Sequence, residues 1–142
     1  MTYLNFDDKL ATGIRFFDSN NMLLIEGLNI LESKQRNSTI KSDLIVSTLS
    51  KFKIAYTKII ESEKYFMESH NYNNLDYMIM LHQIQLKNLE IIYNKVNNSN
   101  QTITVNQLEQ LKEIVLNNIN LDKSGAKFLK RKYKENLDAM MF

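Results

Sequence analysis

The chain has no cysteine, no proline and no tryptophan, and only three glycines in 142 residues. Without cysteine there is no disulfide framework, no thiolate metal site and no cysteine nucleophile, a composition compatible with the reducing cytoplasm where we expect the protein to reside. Without proline and with little glycine, long uninterrupted helices are expected and a turn-rich β fold is not. No apolar run approaches a membrane span, and the opening Met1-Thr2-Tyr3-Leu4-Asn5-Phe6-Asp7-Asp8 lacks the basic start and apolar stretch of a secretory signal. A formal net charge of +2 is too small to argue for nucleic acid. There is no phosphate-binding glycine loop, nucleophile–base pair or suitably spaced acid–base pair, so an enzyme is not expected. The length fits one domain, residues 1–142, large enough to bury a core.

What is present is helical periodicity. Ile45, Leu49, Phe52, Tyr56, Ile59, Glu63 and Phe66 follow at steps of three and four, the inward seam of a packed helix. Beyond the polar turn His70-Asn71-Tyr72-Asn73-Asn74, the residues Leu75, Met78, His82, Gln85, Leu89, Ile92 and Val96 repeat the pattern. An earlier helix, capped near Asp18 or Ser19, has the seam Phe17, Asn21, Leu24, Leu28 and Leu31 and gives way to polar residues from Gln35 to Lys41. Ser42 or Asp43 caps the second helix, which runs to about Ser69. The third runs from about Asn74 to Val96, and the stretch Asn97 to Gln101 reads as a loop. Thr104 and Gln107 make a capping box ahead of a fourth helix with the seam Leu108, Leu111, Val115, Asn118 and Asp122. Gly125 is expected to interrupt it, leaving residues 126–141 as a short C-terminal helix, with residues 1–17 as an N-terminal arm. These elements imply an all-α fold, an antiparallel up-down-up-down four-helix bundle.

Each seam is interrupted by polar residues: Asn21, then Glu63, then His82 with Gln85, then Asn118 with Asp122. Burying an unpartnered carboxylate costs several kcal/mol, on the order of its desolvation. Polar groups in all four seams therefore point to a shared polar pocket, built as bundle sites are from facing helices. Met22, Met67, Met78 and Met80 read as pliable core packing, Tyr56, Tyr65, Tyr77 and Tyr93 as half-buried helix residues, and His70 as a solvated turn residue.

Several stretches together resemble the bacterial hemerythrins over nearly the whole chain. They are Phe6 to Ile14 with Phe17-Asp18-Ser19-Asn20-Asn21, Glu63-Lys64-Tyr65-Phe66-Met67, Tyr72-Asn73-Asn74-Leu75-Asp76 ahead of His82, and Leu111 to Asp122. Hemerythrins hold two irons with five histidines and two bridging carboxylates, and bind oxygen reversibly at one iron. Matched position by position, the first-helix histidine is Asn21, the second-helix histidine is Ile59, and the third-helix pair is Met78 and His82. The fourth-helix histidine falls at Asn118, or at Asn117 if the register slips by one, and the early Trp is Phe6. The bridging glutamate is Glu63. Asp122 stands for the aspartate, one residue earlier than the family spacing.

The resemblance thus implies a hemerythrin-like bundle with a degenerate di-iron site, since one histidine of five cannot hold two irons. We expect no cofactor, with His82 bonded directly to Glu63 or Asp122 and with Asn21 and Asn118 completing a polar network. The alternative is a residual metal-binding or oxygen/redox-responsive site in which Glu63, His82 and Asp122 bind a single divalent ion: iron, manganese or zinc. The last segment is basic, with Lys123, Lys127, Lys130, Arg131, Lys132 and Lys134. Phe128, Leu129, Tyr133 and Leu137 are expected to dock it, leaving either a solvated face or a docking surface for an acidic partner protein or a membrane face. Aromatics are not interleaved for base stacking, so no nucleic acid is expected. Loss of the oxygen site leaves a binding or assembly module as the expected function.

Overall fold

The periodic stretches fold as four α-helices in the computed structural model, which describes residues 4–36, 42–98 and 102–134, the backbone alone at 42 and 43. These are α1 (Arg15–Arg36), α2 (Ser42–Ser69), α3 (Leu75–Asn98) and α4 (Val105–Lys132), and there is no strand among the described residues.

The side-chain contacts give the directions. Phe16 and Phe17, early in α1, pack on Phe66, late in α2, with ring centroids 4.3 and 5.6 Å apart, whereas Gly27 lies against Phe52. Glu63 faces His82 while Lys53 reaches Tyr93. Asn21 meets Asp122, and Phe17 lies beside Gly125. His82 meets Asn118, and Ile92 shares a groove with Gln107. In each neighbouring pair, progress along one helix runs backward along the other, so the bundle is antiparallel.

Local chemistry explains where the helix ends fall. Thr104 and Gln107 form the expected capping box at the start of α4. α1 begins ahead of the expected cap because Asp18 serves the arm instead. Its carboxylate accepts hydrogen bonds from the Thr12 and Gly13 N–H groups (2.8 and 3.2 Å) and from Thr12 Oγ1 (2.9 Å). Gly13 turns the chain here with φ +84°, and a Cβ would stand 2.8 Å from Lys130 Nζ, so this position calls for glycine. Upstream, Leu4, Phe6 and Leu10 pack against the core, and Ile14 is buried.

The break expected at Gly125 does not occur. α4 runs straight through it, and a Cβ there would lie 3.2 Å from Met67 Cε and 3.3 Å from the Phe17 ring. This glycine lets α4 approach its neighbours. Residues 126–132 are therefore the last turns of α4, and the expected closing helix beyond residue 134, Leu137 included, lies outside the described residues. Asn97 and Asn98 belong to α3 rather than to a loop, and residues 99–101 also lie outside the description.

The core forms two apolar clusters. The larger joins Leu24, Leu28 and Leu31 to Leu49, Phe52, Tyr56, Leu89, Leu111 and Val115, among others. The smaller joins Ile14, Phe17, Met67, Tyr72, Met78, Ala126 and Leu129. Met67 takes the buried place expected for Phe66, which is half-buried, as are Leu75 and Gln85. Tyr56 is fully buried, whereas Tyr65 and Tyr77 are exposed. Met22 and Met80 are exposed too, correcting their reading as core. His70 is not simply solvated. Its Nδ1 lies 2.9 Å from Tyr133 Oη, and its ring packs edge-on to Phe66. Among the described residues, no helix is long and apolar enough to cross a membrane.

Candidate functional site

Between the two apolar clusters lies a layer of buried polar side chains to which every helix contributes. It comprises Asn21 from α1, Glu63 from α2, His82 from α3, and Asn118 with Asp122 from α4. On each helix the polar residue sits between members of the two clusters: Phe17 and Leu24 flank Asn21, Ile59 and Met67 flank Glu63, and Met78 and Leu89 flank His82. Helical spacing alone aligns them, because each falls on the inward stripe at the same depth of the bundle. The interior fourth-helix position is Asn118; Asn117 is exposed.

Asn118 is the hub. Its Nδ2 donates to Asn21 Oδ1 at 2.8 Å and faces Asp122 Oδ2 at 3.3 Å and Glu63 Oε1 at 3.4 Å. An amide nitrogen carries two hydrogens, so the second is shared between the two carboxyls. Asn21 Nδ2 donates to the same Asp122 Oδ2 at 2.8 Å. These acceptors fix the Asn118 amide with its oxygen toward His82, whose Nε2 lies 3.1 Å away. A carbonyl oxygen only accepts, so His82 carries its proton on Nε2. The imidazole therefore bonds to the amide rather than directly to a carboxyl as expected; Glu63 Oε2 is the nearer carboxyl oxygen at 3.6 Å.

Burial sets the protonation states. It pushes the Glu63 carboxyl up to about 7 against its amide donors, and raises Asp122 well above the usual carboxylate range, with the neighbouring Glu63 charge adding to the effect. Glu63 Oε2 and Asp122 Oδ1 are buried and take no amide donor, so a proton held by the pair relieves the repulsion between them. Burial also lowers His82 to about 4, keeping the imidazole neutral. His82 closes the layer toward solvent, at the foot of an α2–α3 groove of about 210 Å³ bordered by Thr57, Glu61, Lys64 and Gln83. Gln85 lines a different groove, of about 490 Å³ between α3 and α4, and does not join the layer.

The donor set does not fit a di-iron centre. Ile59 and Met78 are buried apolar side chains, and Asn21 and Asn118 present neutral amides already bonded to each other. Glu63, His82 and Asp122 do gather around Asn118. Yet among the described residues no three His, Asp or Glu side chains are arranged to hold a metal ion.

Two buried polar groups lie outside this layer, Tyr56, expected to be half-buried, and Glu32, which no seam singled out. Tyr56, two helical turns before Glu63, is buried with a hydroxyl that has no hydrogen-bond partner. Burial raises its pKa, and the Glu63 and Asp122 charges raise it further. An unbonded buried hydroxyl loses its hydration without compensation. Tyr56→Phe is therefore expected to leave stability unchanged or raise it by up to about 1 kcal/mol in urea unfolding, and a clear loss would reveal a partner for the hydroxyl. Glu32, one residue off the α1 seam, is also buried and pairs with Arg36.

The basic end of α4 is largely committed to holding the chain. Lys123 donates to the Lys9 carbonyl, Lys130 to the Thr12 carbonyl and Lys132 to the His70 carbonyl, which pins the arm and the α2–α3 turn. Lys127, Arg131 and Lys134 are exposed.

Set against known protein families, curated proteins and solved structures, the chain matches none.

Proposed function

We propose that this chain is a hemerythrin-like bundle that has lost the di-iron oxygen site and serves as a non-catalytic, cytoplasmic protein-binding or assembly module of bacterial type. One observation carries the reading. The two asparagines at places of lost histidines bond to each other, Asn118 to Asn21 at 2.8 Å, and Asn21 bonds at 2.8 Å to Asp122 at the place of the aspartate. Such a network supports a bundle whose interior is structural and whose exposed surface meets a partner protein. Protein purified without chelator is expected to contain no stoichiometric iron and to keep its melting temperature in EDTA. Two irons per chain would end this reading.

A second reading makes Glu63, His82 and Asp122 the ligands of one divalent ion. Glu63 Oε2 and Asp122 Oδ1, two buried oxygens without a donor, favour it. It requires His82 Nε2 to leave Asn118. One metal per chain, abolished in His82→Ala, would select this reading over the first.

A further inference from the structure

The groove between α2 and α3 ends on a nitrogen that the protein leaves unused. His82 is only 2% exposed, and its ring lines that groove. Its Nε2–H is spent on Asn118 Oδ1. A neutral imidazole carries one proton, so Nδ1 keeps a lone pair. Burial holds the ring neutral, and the lone pair is therefore present at neutral pH. Among the described residues no hydrogen bond reaches Nδ1. Unlike Glu63 Oε2 and Asp122 Oδ1, it is not sealed from the surface.

The walls decide what can reach it. Ile79, His82 and Leu86 follow at steps of three and four, which sets them along one side of α3, and Ile60 faces them from α2. Ile60 is buried, and Ile79 and Leu86 are half-buried. Glu61 and Lys64 stand exposed at the rim. These two charges cancel, so the lining selects neither an anion nor a cation. The volume of about 210 Å³ exceeds the roughly 150 Å³ that holds benzene in an apolar cavity. It falls below the roughly 300 Å³ at which drug-sized pockets begin, so the groove suits one ring. Apolar walls with a single fixed polar group are the usual make-up of a small-molecule site. An acceptor at its foot favours a ligand with a hydrogen to donate over an analogue without one.

We infer that the α2–α3 groove binds a small uncharged ring compound bearing one O–H or N–H, with that hydrogen on His82 Nδ1 and the ring against Ile60, Ile79 and Leu86. The inference goes beyond the binding-module reading and rests only on its metal-free layer, in which Nε2 holds the proton.

The test uses the full chain with nitrogen-15 in its two histidines, observed in long-range proton–nitrogen spectra. His70→Gln assigns the His82 signals, which are expected to show a proton on Nε2 and a bare Nδ1. Phenol is the probe, and fluorobenzene is the control, a ring of similar size with no hydrogen to donate. Phenol is expected to bind at least about fivefold tighter than fluorobenzene and to move the Nδ1 resonance. Gln83 stands exposed at the rim, so Gln83→Trp should fold as the parent does and close the groove to phenol, whereas Gln83→Ala should leave binding in place. Equal affinity for the two rings, a phenol complex in which Nδ1 does not move, or binding that survives Gln83→Trp overturns the site. A bare Nδ1 without phenol binding removes this inference and leaves the metal-free layer standing. A proton on Nδ1 instead overturns both.

Discussion

Asn118→Leu is expected to destabilise the bundle by about 3–5 kcal/mol, because it leaves several buried polar groups unsatisfied at about 1–3 kcal/mol each. Leucine fills a similar volume, so the effect isolates the amide. Its loss takes one hydrogen from Asn21 Oδ1, a shared hydrogen from Glu63 and Asp122, and the acceptor from His82 Nε2. All of these groups are buried, which makes each unmade bond costly. The adjacent Asn117→Leu, on the exposed side of α4, should change stability by no more than about 0.5 kcal/mol. Urea unfolding of the two variants at neutral pH makes the comparison. Equal effects would mean that the amide hub holds nothing together.

The second large effect is a dependence on pH that runs opposite to the common acid-denaturation pattern. Glu63 and Asp122 have raised affinities for protons in the folded chain, Glu63 titrating near 7 and Asp122 well above its usual range. The unfolded chain releases both protons above their ordinary values of 4.5 and 3.8. Over that window the native state binds more protons, so stability is full at acid pH and is lost as pH rises through the folded values. His82 works the other way. Its folded value is lowered from 6.5 to about 4, so its contribution is present above 6.5 and lost as pH falls toward 4. From pH 4.5 to 6.5 Glu63 and His82 act in opposite directions, and the raised proton affinity of Asp122 tips the balance toward stability that declines as pH rises. Between 6.5 and about 7 the decline should steepen. Glu63→Gln replaces a protonated carboxyl by an amide and is expected to exceed the parent in stability at pH 8. Unfolding midpoints at pH 5, 6, 7 and 8 read both effects, and a midpoint that climbs with pH would show the carboxyls to be ionised in the fold.

Much of the architecture was legible because period alone carries it. The seams of α1 and α4, and those of α2 and α3 save Phe66, Leu75 and Gln85, are buried as their spacing required. So too was the polar layer, because Asn21, Glu63, His82, Asn118 and Asp122 each interrupt an apolar stripe. What spacing could not carry was choice among partners. Asn118 rather than a carboxyl receives His82, which depends on ångström-scale depth rather than on helical phase. Nor could it show that Gly125 brings helices together, since a glycine that ends a helix and one that lets neighbours close read alike. Likewise Lys123, Lys130 and Lys132 look like a solvated face in sequence, and only the return of the arm and turn gives them carbonyls to hold.

The contact from Asn21 to Asp122 joins positions 101 residues apart, whereas α1–α2 and α2–α3 pairings need only short hairpin connections. Closing so long a loop carries a greater chain-entropy cost than forming either hairpin. The ring of helices must accordingly shut before the carboxyl pair has its donors, which makes assembly of the polar layer a late event on the folding route and a direct reporter of its completion.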